Sequence, residues 1–101
     1  MWVFVFFDLP TETKQNRKNY TNFRKALLKD GFAMVQFSIY SRHCGSYENS
    51  IVHVNRVKSN LPPAGEVMIF RITDKQFSDM EFFAGREEVD CPDIPQQLEM
   101  F

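Results

Sequence analysis

Apolar residues run unbroken from Trp2 to Phe7 and give way to Asp8, Leu9 and Pro10. Aromatic and β-branched throughout, this run predicts a strand that is apolar on both faces and ends at the proline. Thr11 or Thr13 then caps a helix, with Glu12 near its positive end. From Lys14 to Lys29 the apolar period is helical: Tyr20, Phe23 and Leu27 fall within roughly 60° of one another, a core-facing stripe. Gly31 stops it. The stretch AMVQFSIYSRHC (33–44) has strand propensity with Ser38 in its middle, and predicts one long strand or two short ones turning there. Ser46 caps a second helix, in which Tyr47, Ile51, Val54, Val57 and Leu61 keep helical spacing before Pro62 and Pro63 close it. His53 falls with Asn49, Arg56 and Asn60 on the polar side of that helix, expected to be solvated. GEVMIFRIT (65–73) reads as a strand with Met68, Phe70 and Ile72 on one face and Val67 and Ile69 on the other. A short turn over 74–77, a strand in MEFFAG (80–85), an acidic linker over 87–95 and a last strand in QQLEMF (96–101) complete the reading.

Strand, helix, strands, helix, strand, strand is the order of an α+β ferredoxin-like sandwich, an antiparallel sheet with two helices on one face. The expected organisation is one domain over residues 1–86. An acidic linker and C-terminal strand over 87–101 then serve dimer or partner contacts. Two helices on one side leave the other sheet face bare, yet the first strand is apolar there too. A bare apolar face needs a partner, and a homodimer through that face is the simplest one.

Composition sharpens this picture in three places. Of the 101 residues, 44% are hydrophobic and eleven are Phe, enough for a packed core. Trp2–Phe7 is too short to cross a bilayer and has no basic stretch before it, so neither a membrane span nor a signal peptide is expected. Two cysteines, Cys44 and Cys91, make no disulfide framework and point to a reducing cytoplasm. The net charge of −1 conceals an asymmetry. Residues 1–65 hold nine Lys/Arg against four acids, and residues 66–101 three against nine.

The basic half is concentrated on the first helix. Lys14, Lys18, Lys25 and Lys29 lie within roughly 60° of one another on the wheel, opposite the apolar stripe. Arg17 and Arg24 flank them, and no acid intervenes before Asp30. A solvated helix face ordinarily mixes both signs. One sign alone suits a polyanion, and phosphates spaced along a duplex fit it. The face lacks the exposed aromatics that single-strand stacking uses. Arg42 is a further candidate phosphate contact, and His43 beside it either touches phosphate too or, the expected reading, is a plain surface residue. The cysteines lack zinc spacing, Ser38 and Ser41 have no evident base, and no glycine-rich phosphate loop or nucleophile elbow occurs.

These segments together carry a resemblance. FFDLP closing the first strand, the basic helix, GFAMVQFSIYSR (31–42) and RITDKQFSDMEFFAG (71–85) resemble the CRISPR-associated protein two family, over roughly residues 2–85. They look most like members from systems whose effector is a single large protein. The resemblance implies a ferredoxin-like homodimer that bridges double-stranded prespacer DNA between dimers of the CRISPR integrase subunit, in spacer acquisition for antiviral defence. On that reading the integrase performs the strand transfer. It implies a second activity as well, a metal-dependent endonuclease acting on RNA or DNA phosphodiesters through the aspartate that matches Asp8. A toxin-like ribonuclease on the same fold is a relative of that idea. A Glu present in many members is replaced near its place by Ser41, so no role of that acid carries over.

Asp8 thus has two readings. It holds Mg²⁺, whose shell is mostly water plus one or two carboxylates and phosphate oxygens, in a site improved if a dimer twofold brings two Asp8 residues together. Or it accepts N–H groups in the turn before the helix.

Overall fold

The computed structural model describes residues 1–90; the expected C-terminal strand at 96–101 and most of the expected linker lie outside them. Strand β1 (Trp2–Asp8) leads to helix α1 (Lys14–Lys29). Thr13 caps α1 by accepting the Asn16 N–H, and Gly31, at φ 87°, turns the chain out of it. Strands β2 (Ala33–Gln36) and β3 (Ile39–His43) follow, so the stretch holding Ser38 is two strands and not one. Helix α2 (Tyr47–Ser59), capped by Ser46, returns the chain to β4 (Glu66–Ile72). The sheet order is β2-β3-β1-β4, antiparallel at every pairing, which is the ferredoxin-like arrangement.

β1 sits at the centre and is buried on both sides, as its composition requires. Val3, Val5 and Phe7 join Phe23 and Leu27 of α1 and Val54 and Val57 of α2 in the helix-side core, with Val67 and Ile69 packed at its edge. Trp2 and Phe4 point the other way, among Val35, Phe70, Ile72 and Phe77. That second face is half covered, not bare. Residues expected to form a turn are helix α3 (Asp74–Ser78), started by a Thr73–Gln76 capping box, and its Phe77 stacks on Trp2 at 3.8 Å and 4°. Met80 and Phe82 extend the cover. The strand expected over 80–85 shrinks to β5 (Phe83–Ala84), paired with β6 (Glu87–Glu88) in a separate hairpin. The expected boundary after residue 86 falls inside that hairpin. Beyond α3 the same face stays open at Phe6, Ile39 and Met68, which line a groove of about 450 Å³ running to Asp8.

α2 is rotated from its expected setting. Tyr47, Ile51 and Leu61 are exposed, and Ser50 and His53 are buried with Val54 and Val57. The cause lies in the sheet beneath: Arg42 and Arg71 flank Val3 in one row on the helix side. A polar row needs polar partners, and the Arg71 Nε–H donates to Ser50 Oγ at 2.8 Å. His53 is therefore no solvated residue. Its Nδ1 donates to Asp30 Oδ2 at 2.8 Å while Arg56 donates to Oδ1 at 2.7 Å, tying the end of α1 to α2. Burial alone pushes the Asp30 carboxyl up, but the hydrogen bonds and charges of Arg56 and His53 outweigh it and hold the group below its ordinary 3.8.

A lowered folded value means that this stabilisation is present above the ordinary value and lost as the pH falls through the folded one. Asp30→Asn is therefore expected to cost about 2 kcal/mol at neutral pH. Urea melts should show the gap to the parent protein closing as the pH drops below 3.8.

Candidate functional site: a carboxylate pair beside a basic helix

Asp8 ends β1, and the β1–β4 register sets Glu66 directly opposite it. Side chains opposite each other on antiparallel strands share a face, so both carboxylates stand beyond Phe6 and Met68 on the open side of the sheet. Both line the groove there, with Phe37, Ser38 and Ile39. Gly65 makes the close approach possible. At φ 94°, a Cβ on it would lie 2.7 Å from the Asp8 carbonyl oxygen and 2.7 Å from the Leu9 side chain. No side chain fits there, so the strand end holding Asp8 is fixed by contact with bare backbone.

The structure shows no turn-acceptor role for the Asp8 carboxylate: among the described residues it receives no hydrogen bond, and the turn into α1 is closed by Thr13. Two acids facing each other repel, and a cation between them turns that repulsion into attraction. Carboxylate oxygens are the donors that Mg²⁺ takes, with water or phosphate oxygens filling its other positions. Asp8 and Glu66 supply oxygen donors of the kind such an ion takes; among the described residues no group of three or more acids, histidines or cysteines forms a fuller site. Sequence reasoning missed Glu66, because only strand register brings it to Asp8.

The basic residues divide. Lys14, Lys18, Lys25 and Lys29 are exposed along α1, and none makes an ion pair among the described residues. Arg17 donates to the Thr11 and Glu12 carbonyls at 3.1 and 3.3 Å, bracing the loop after Asp8. Arg24 donates to the Tyr40 hydroxyl at 2.9 Å. Arg42 is not on that face. It lies half-buried on the helix side of β3, its guanidinium over Gly31 at the end of α1 and its Nε without a partner among the described residues.

His43 is also no plain surface residue: it meets the Trp2 edge at 4.9 Å and Asp74 at 3.2 Å. Asp74 also takes a hydrogen bond from the N-terminal ammonium, the chief reason its carboxyl lies below the ordinary range. Cys44 is buried, and burial pushes its thiol up, which makes it a poor nucleophile. Among the described residues no helix is long and apolar enough to cross a membrane.

Residues 1–80 match the family model described as CRISPR associated protein Cas2. The chain belongs to the Cas2 family. A Flavobacterium psychrophilum protein named CRISPR-associated endoribonuclease Cas2 is 52% identical over 101 residues, covering all of this chain and 88% of its own. A Parvibaculum lavamentivorans protein of the same name is 48% identical over the full length of both. The crystal structure of Streptococcus pyogenes Cas2 superposes with a TM-score of 0.62 over 83% of this chain and all of its own. At 20% identity that likeness speaks for the fold, and it agrees with the sheet order found here.

Proposed function

We propose that this Cas2-family chain is a cytoplasmic homodimer that binds and bridges double-stranded prespacer DNA between dimers of the CRISPR integrase subunit during spacer acquisition. The integrase carries out the strand transfer. The observation that carries this reading is the single-signed outer face of α1, four exposed lysines without an ion pair among the described residues. Phosphates of a duplex supply the missing counter-charge, and contacts of this kind position DNA without reading its sequence. The open half of the sheet face, with Phe6 and Met68 at its groove, supports burial against a second copy. Residues 96–101, ending in Leu98, Met100 and Phe101, suit addition of a strand to the partner's sheet or to the integrase.

Gln at Lys14, Lys18 and Lys25 together tests the interface. Duplex affinity should fall alike for all sequences, and the slope of log K against log salt should flatten by about 0.9 for each phosphate that the protein no longer neutralises. An unchanged slope in an anisotropy titration removes α1 from the DNA interface.

A second reading has its own observation, the Glu66 carboxylate facing Asp8, and the relatives' name of endoribonuclease supports it. On this reading the pair holds Mg²⁺, and the bound ion offsets charge on the scissile phosphate and makes its water more acidic. Asp8 and Glu66 supply oxygen ligands, Gly65 fixes the Asp8 backbone, and Arg17 holds the loop that follows it.

A further inference from the structure

We propose that Phe37, backed by Tyr20, is a stacking platform for one unpaired nucleobase beside Asp8. The proposal rests on the nucleic-acid reading of α1 and adds a single-stranded element to it. Phe37 is 80% exposed, more than any other large apolar side chain among the described residues. It stands at the β2–β3 turn, where Ser38 adopts φ 65°, a left-handed conformation that a serine takes only at a cost. The turn is pinned: the Phe7 N–H donates to the Ser38 carbonyl at 3.1 Å, one residue before Asp8. An exposed aromatic is thus held rigidly next to the carboxylate pair, on a backbone that carries strain to put it there.

The ring does not lie loose on the surface. Tyr20 of α1 runs beneath it, centroids 6.2 Å apart and planes 25° apart, and Phe7 in turn meets Tyr20 edge-on at 5.8 Å. Phe37 is therefore shelved toward the helix layer, at the rim of the open sheet face. Its exposure leaves an aromatic surface open to solvent, the shape a base needs. Arg17 and Arg24 sit one helical turn to either side of Tyr20, so cations border the platform and suit the phosphates of the same strand. Each spends only part of its donors within the protein: Arg17 on the Thr11 and Glu12 carbonyls, Arg24 on the Tyr40 hydroxyl.

Among the described residues the lysine face of α1 still carries no exposed aromatic; Phe37 stands on the Tyr20 side of the helix. A duplex buries its base faces in its own stack, so the occupant is unpaired: a single strand or a frayed end. A base stacked there leaves its backbone beside Asp8 and Glu66.

The test uses the full chain and a short single-stranded RNA carrying one 2-aminopurine, whose fluorescence is quenched by stacking. Quenching is expected with the parent protein and with Phe37→Trp. Phe37→Ala should abolish it and weaken single-strand binding roughly tenfold to hundredfold, with duplex affinity unchanged. The Lys14, Lys18 and Lys25 variant reports the opposite selectivity, losing duplex affinity while keeping the quench, so failure of the platform and of the α1 interface are distinguishable. Equal losses for single strand and duplex with Phe37→Ala, or no loss for either, overturn the proposal. Sedimentation of Phe37→Ala completes it: a dimer that dissociates, with affinity falling in step, makes Phe37 an interface residue and overturns the platform as well.

Discussion

On the nuclease reading proposed above, Asp8→Asn is expected to reduce any Mg²⁺-dependent RNA cleavage to background while slightly raising the stability of the fold. The two effects have one origin. Asp8 and Glu66 oppose each other across β1 and β4, and the amide removes one charge of a repelling pair. Relief of a like-charge cross-strand pair is worth a few tenths to about 1 kcal/mol. A carboxylate that served as a turn acceptor gives the reverse sign, a loss of up to about 1 kcal/mol. Urea melts without metal separate the two. With Mg²⁺ added, the parent protein's midpoint should rise by mass action, and neither Asp8→Asn nor Glu66→Gln should follow it. A midpoint that ignores Mg²⁺ in the parent removes the carboxylate pair as a metal site. Integration reconstituted with the partner integrase should proceed with Asp8→Asn, because on the proposed reading α1 and the dimer carry the bridging role. Loss of integration with the complex still assembled would sink the bridging-subunit reading.

Trp2→Ala is expected to be the most damaging substitution in the fold, at about 3–5 kcal/mol. Trp2 is 1% exposed, stacked on Phe77 and touched by the His43 ring, so truncation empties the junction between β1 and α3. α3 has five residues, far too few to persist without packing. Its cover over the sheet should come away, exposing Phe4 and Phe70. Domains of this size have about 5–15 kcal/mol in all, so the variant should unfold at much lower urea and bind a hydrophobic dye before it does. Trp2→Phe keeps a stacking ring and should recover most of the loss. A Trp2→Ala protein with an unchanged midpoint would show that α3 contributes nothing to the sheet face.

How far the sequence led depended on whether an element's pattern was local. β1, α1 and β4 each carry a run or period long enough to identify alone, and Ser38 already marked the place where two strands turn. α3 was missed because five residues cannot display a period, although the Thr73–Gln76 pair spelled its capping box. His53 was placed in solvent by a helical wheel that assumes an apolar surface beneath α2. The row Arg42–Val3–Arg71 is not apolar, and the helix turned to suit it. At the site, the lysines of α1 were legible as a candidate face from their spacing, and Asp8 as a candidate from its place at the end of β1 together with the family resemblance. Glu66 was not, since register alone sets it opposite Asp8. Phe37 was not either: a phenylalanine in a strand-like stretch reads as core until the turn places it outside.

β1 has apolar residues on both faces, and this changes how the sheet finds its alignment. In a half-buried strand, slipping by one residue throws every apolar side chain into water, so polarity polices the pairing. β1 has no such penalty. Its alignment is enforced by shape at the two ends: Gly65 leaves room for one backbone neighbour, and Trp2 must arrive under Phe77. During folding, pairings out of step are close to the native one in energy until both ends close. Proofreading of the central strand is therefore left to a glycine and a tryptophan at opposite ends of it.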